Sequence, residues 1–148
     1  MKTKLNTTRL TLWATRLVAL AIAVMLFALP ALLDWYSSVR TLSDLEKTVI
    51  AAAFYVCVFP IALALWQMDG LLRKLLEGAV FLKENVRRIR IIQWCCFAVS
   101  LICLPAALFY YPLIFLVVIM GFLSLVVAVV CRVMDEAVAI REENDLTI

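Results

Sequence analysis

The side chains able to do covalent or metal chemistry are few here, and their spacing does not assemble a reaction centre. The 148-residue chain has no His and five Cys: Cys57, Cys95, Cys96, Cys103 and Cys131. Adjacent helical residues do not share a face, so Cys95 and Cys96 make a poor chelating pair. All five lie in apolar runs, where cysteine behaves as a small apolar residue, and none sits where an oxidising compartment would form a structural disulfide. Three glycines, Gly70, Gly78 and Gly121, are too few and too scattered for a phosphate-cradling loop. No serine elbow is present, and no Ser, Thr or Asp has a base at nucleophile spacing. No Asp, Glu, Lys or His lies deep in an apolar run, although proton and ion pathways depend on such groups. These residues point away from an enzyme, from a proton-coupled pump, and from any metal or cofactor.

Charge is the chemistry that remains. A basic cluster, Arg87, Arg88 and Arg90, sits in the middle of the chain, and an acidic one, Glu142, Glu143 and Asp145, near its end. If both lie on one side of a membrane, the acidic tail is expected to fold back on the basic loop, with Leu146 and Ile148 tucked beneath it. One exposed ion pair contributes only about 0–1 kcal/mol, so several must act together. The alternative is a solvated, charged helix end.

The elements that would position these clusters are legible from hydropathy. Sixty-six per cent of the residues are hydrophobic and 17% charged, whereas soluble domains are about 45–50% apolar. Four runs reach the ~20 apolar residues that a membrane span needs, at about 12–33, 48–68, 91–109 and 113–133. The expected fold is therefore all-α: one four-transmembrane-helix bundle over residues 1–148, with an amphipathic loop helix and a helical C-terminal extension. Alternate connections carry 12 of the 14 Lys and Arg residues, and such an excess marks the cytoplasmic side. Both termini and the middle loop are expected in the cytoplasm, in the bacterial inner membrane. Trp13, Trp66 and Trp94 fall at one set of span ends and Trp35, Tyr36, Tyr110 and Tyr111 at the other, as interfacial rings do. Lys2, Lys4 and Arg9 before an apolar run also fit a signal peptide. The run from Leu17 to Leu33 exceeds the usual core of such peptides and no small-x-small site follows it, so an uncleaved anchor is expected.

Finer signals concern packing and connections. Gly121, Ser124, Ala128 and Cys131 share one face of the fourth span, with Ala19 and Ala23 a weaker counterpart in the first; small residues let helix backbones approach in lipid. They suit the bundle interior, with a homo-oligomer interface as the alternative. Ser43 and Glu46 have capping-box spacing before the second span. Tyr110, Tyr111 and Pro112 leave room only for a tight hairpin between the third and fourth. Beyond Met68, Leu71, Leu72, Leu75, Leu76 and Ala79 oppose Arg73, Lys74 and Glu77, the pattern of an amphipathic helix extending the second span. Gly78 suits its C-terminal cap, Phe81 an apolar anchor, and Asn85 the cap of the helix entering the third span.

Gly78, Phe81 and Asn85, followed by Ile89 and Arg90, resemble the loop motif of the domain-of-unknown-function 2975 family, small bacterial integral-membrane proteins. That motif reads Gly-x-Pro-Phe-Ser/Thr-x-x-Asn and then a Leu-basic pair; here Val80 replaces the Pro and Leu82 the Ser or Thr. The ending Glu142-Glu143-Asn144-Asp145-Leu146-Thr147-Ile148 is similar to the family's acidic stretch and Asp-Leu-Thr close. The resemblance implies no known activity. Members are often encoded beside a small helix-turn-helix regulator, which implies a DNA-binding protein as partner on the cytoplasmic side, with lipid as the other partner and no direct contact with nucleic acid. A non-enzymatic membrane protein with a cytoplasmic interaction surface follows. The alternative is an oligomeric pore, transport or peptide-immunity protein whose path Gln67, Gln93, Ser100 and Ser124 would line.

The topology has a direct test. With native cysteines masked, a cysteine at Ser38 should react with a membrane-impermeant reagent added outside, and one at Lys83 or Asn144 should not. External labelling at Lys83 would overturn the orientation.

Overall fold

The computed structural model describes residues 2–39, 41, 43–77 and 83–146, and side chains for residues 8–39, 41, 43–77 and 83–144. Four helices account for nearly all of them: α1 (Lys2–Val39), α2 (Asp44–Leu76), α3 (Lys83–Phe109) and α4 (Leu113–Leu146). Each contains a stretch long and apolar enough to cross a membrane. In hydrocarbon a helix satisfies its own backbone, which is why chains this apolar resolve into spans. Pro30, Pro60 and Pro105 lie inside α1, α2 and α3 without ending them.

Local chemistry fixes the helix ends. The Ser43 backbone N–H donates to Glu46 Oε2 at 2.8 Å, while Ser43 Oγ accepts from the Glu46 N–H at 3.3 Å. This capping box starts α2 where the sequence places it. Between α3 and α4 the turn closes with the Leu113 N–H donating to the Tyr110 carbonyl and the Ile114 N–H to that of Tyr111, both at 3.0 Å. Pro112, just before the first helical residue, has a ring that pre-sets φ for helix entry.

The helices run antiparallel and pack in chain order. α3 meets α4 most extensively and α2 next, α2 also meets α1, and no Cα of α1 comes within 8 Å of α3 or α4 among the described residues. The bundle is therefore an open row with α1 at its edge. Its mid-membrane core comprises Cys57 of α2 with Val99 and Cys103 of α3, flanked by Ile61, Ile102, Val117 and Met120.

The small face of α4 belongs to this interior. A Cβ added at Gly121 would lie 3.3 Å from Ser100 Oγ, tighter than ordinary van der Waals contact. At that approach Ser100 Oγ donates to the Val117 carbonyl at 2.9 Å, and one turn on, Ser124 Oγ donates to the Gln93 carbonyl at 3.2 Å. Such bonds contribute about 0.6 kcal/mol each in membrane helices; the close approach they accompany adds dispersion along the whole seam. Gly121→Leu should accordingly lower stability in detergent by about 1–3 kcal/mol, the usual cost of overpacking, while Ser100→Ala costs less. Thermal melting checks this, and an unchanged midpoint for Gly121→Leu would show that the seam does not hold the bundle.

Candidate functional site

The charged residues that the sequence singles out gather at one end of the bundle, where α1 and α3 begin and α2 and α4 end. A helix of 34 residues is about 51 Å long against a hydrocarbon core of ~30 Å, so α4 projects well beyond its span. The early part of α3 runs beside that projection. Val86, Cys131 and Val138 are buried between them, with Ile89 and Met134 packed alongside. Above this apolar seam, Arg90 Nη2 lies 2.6 Å from Asp135 Oδ2 and Lys83 Nζ 2.8 Å from Glu142 Oε2.

The acidic segment continues α4 as the expected helical extension, and the antiparallel start of α3 comes level with it. The pairing differs from the expected one. Of the three central arginines only Arg90 meets α4, since Arg87 is exposed with no ion pair among the described residues. Arg88 turns the other way, towards α2. The reason is helical spacing: Arg90 lies four residues beyond Val86 and shares its face towards α4, whereas Arg87 and Arg88 lie one and two positions from Val86 and point elsewhere. Glu143 is exposed one residue beyond Glu142. Gly78, Phe81 and Ile148 lie outside the described residues, as do the side chains of Asp145 and Leu146.

Asn85 is not the helix cap. α3 already starts at Lys83, and Asn85 sits in its first turn with 0% exposure, one of the most deeply buried side chains in the protein. The α2 extension is present as a continuation of the span, ending at Leu76 with Glu77 as capping residue, whose N–H donates to the Arg73 carbonyl at 3.2 Å.

A second junction joins the end of α2 to α3. Glu84 forms an ion pair with Lys74 and another with Arg88, whose Nη2 is 3.1 Å from Glu84 Oε1. Arg88 Nη1 also donates to Gln67 Oε1 at 3.4 Å. The guanidinium lies directly on Gly70: a Cβ there would stand 2.0 Å from Arg88 Nη1. Gly70 leaves room for the Arg88 side chain here, a role invisible in sequence because it depends on where a distant side chain lies. A third junction, Arg16 Nε to Asp69 Oδ1 at 3.4 Å and Arg73 Nε to Asp69 Oδ2 at 2.7 Å, reaches α1. Asp69, like Gly70, attracts no attention in the sequence, since it reads as the polar edge of a span.

The family model for Protein of unknown function (DUF2975) matches residues 7–148, which takes in all four helices and the charged end. The chain belongs to the DUF2975 family. No curated protein and no solved structure matches it. In this DUF2975 protein the start of α3 and the acidic ending, far apart in sequence, flank the same α3–α4 seam through Arg90 and Glu142. Of the polar residues named for a path through the bundle, Gln67 accepts from Arg88, and Ser100 and Ser124 donate to backbone carbonyls. Among the described residues, no three His, Cys, Asp or Glu side chains are grouped to hold a metal.

The Lys74–Glu84–Arg88 junction has a pH signature. Hydrogen bonds from Lys74 and then Arg88 hold the Glu84 carboxyl below its ordinary value of 4.5. A carboxylate whose folded pKa is depressed stabilises the fold above the unfolded pKa and loses that contribution as pH falls through the folded one. Stability should thus be level from neutral pH to about pH 5 and fall below 4.5. Glu84→Gln should lower the neutral-pH plateau and flatten this limb in detergent melts. A limb of the same slope in the variant would assign it to other carboxylates.

Proposed function

We propose that this is a non-enzymatic, multi-pass protein of the bacterial cytoplasmic membrane, with both termini inside, whose charged end is an interaction surface for a soluble protein. One observation carries this reading. The projecting part of α4 has two apolar faces. Cys131, Met134 and Val138 pack on α3, whereas Val133 and Ile140, on another face, are each 60% exposed. Ile140 lies about 40 Å along α4 from its first residue, past the ~30 Å hydrocarbon core. An apolar residue so placed, flanked by exposed Glu136 and Arg141, is the anchor that helix-in-groove recognition uses.

The support from the rest of this end is mechanical and electrostatic. Ion pairs from Arg90, Lys83 and Glu84 tie α2, α3 and α4 together, so the face is presented on a rigid frame and a partner need not order it. Its mixed charge gives orientation more than affinity. A small helix-turn-helix regulator fits as partner, since the family resemblance implies that such proteins are often encoded beside its members.

The test is recovery of partners from native membranes in mild detergent. The full chain should bring down the regulator, and Ile140→Glu should reduce recovery at least tenfold, the order expected for losing a central anchor of about 2 kcal/mol, without changing the melting of the purified protein. No regulator recovered with the unmodified chain, or equal recovery with the variant, would remove this reading.

A further inference from the structure

We infer that the groove between α1 and α2 binds an anionic phospholipid, one acyl chain along the groove and its phosphate held by Arg16 and Arg73. This site is independent of the projecting face of α4.

The groove has a volume of about 480 Å³ and is lined chiefly by Ala19, Ile22 and Leu26 of α1 and Val58, Ala62 and Leu65 of α2. It exists because alanines face each other: where α4 uses small residues to let α3 in, Ala19, Ala23 and Ala62 leave space between α1 and α2 unfilled. Only these two helices line it, so its natural contents are hydrocarbon. Its length sets which kind. Arg16 to Leu26 on α1 and Val58 to Asp69 on α2 each span about 15 Å at 1.5 Å per residue, half of the ~30 Å core. The groove therefore runs from one interface to the midplane, the reach of one acyl chain in one leaflet.

The mouth is built for an anion. Asp69 takes Arg16 and Arg73 through their Nε atoms, at 3.4 and 2.7 Å. The Nη groups of both arginines have no protein partner among the described residues, and both side chains are more than half exposed. One carboxylate thus aligns two guanidinium edges and leaves the trio with a net positive charge. Guanidinium edges make paired, charge-assisted hydrogen bonds to phosphate oxygens. Trp66 lines the same mouth, the level at which interfacial indoles and headgroups meet.

Trp66 supplies the readout. In a chain with Trp13, Trp35 and Trp94 changed to Phe, Trp66 fluorescence is measured in phosphatidylethanolamine vesicles. These contain a minor, equal fraction of chain-brominated phosphatidylglycerol or chain-brominated phosphatidylethanolamine. Quenching should show about a fivefold or greater preference for the anionic lipid, the order expected from one basic residue at the surface. Arg16→Gln with Arg73→Gln should abolish the preference while the neutral lipid still quenches, which shows that the chain remains inserted. Ala23→Phe, which fills the groove, should reduce quenching by the anionic lipid. Equal quenching by both lipids in the parent chain, a preference that survives the double variant, or no effect of Ala23→Phe would each overturn the site. Quenching by neither lipid would place a second copy of the protein in the groove and overturn it too.

Discussion

Hydrocarbon gives apolar helices no reason to associate, because a lipid tail is as good a neighbour as a leucine. Every helix contact in this protein has to be won by something lipid cannot offer. At the α3–α4 seam that is the absence of a side chain at Gly121, which lets Ser100 and the Val117 carbonyl meet at 2.9 Å. Between α2 and α3 it is the close fit of Cys57 against Cys103, whose sulfurs lie 3.6 Å apart. Between the facing alanines of α1 and α2, whose side chains are too short to fill the space, a groove remains. The open row of helices follows from where these devices fall in the sequence.

A different physics holds the charged end. There water is present and the hydrophobic effect returns, so Val86 and Val138 gain from burial as they would in a soluble protein. The ion pairs above them are exposed and individually weak. Their value lies in number and placement, since Asp69, Glu84, Asp135 and Glu142 each bridge two helices. At the opposite end the hydroxyls of Tyr36 and Tyr110 meet at 3.1 Å and join α1 to the α3–α4 turn. The edge helix is thus held at its two ends and at Tyr55, whose hydroxyl donates to the Leu26 carbonyl at 3.3 Å, more than along its length.

Much of the fold was legible because the spans obey simple rules. Run length marked all four helices, Ser43 and Glu46 marked the start of α2, and Tyr110 to Pro112 marked the hairpin. The site was harder to read. Charge sign brought the acidic ending towards the start of α3, but which arginine faces α4 depends on helical phase, and Val86 and Ile89 set that phase. Asn85 looked like a cap because caps favour that residue type; its burial within the first turn depends on α3 beginning at Lys83. Gly70 and Asp69 gave no signal at all. A glycine is remarkable only when another side chain lies on it, and an aspartate at a span edge looks like any other until arginines from two turns and two helices converge on it.

The turn between α3 and α4 bears on how the protein is made. It holds three residues, Tyr110, Tyr111 and Pro112, and its backbone hydrogen bonds are already internal. The turn carries no charge and leaves few backbone groups unsatisfied. Residues from Ile91 to Leu113 and onward can therefore leave the translocation machinery as one helical hairpin, partitioning into lipid in a single step. The Lys and Arg residues at the start of α3 and the acids at the end of α4 would then act as matched stops that halt both legs at the same depth.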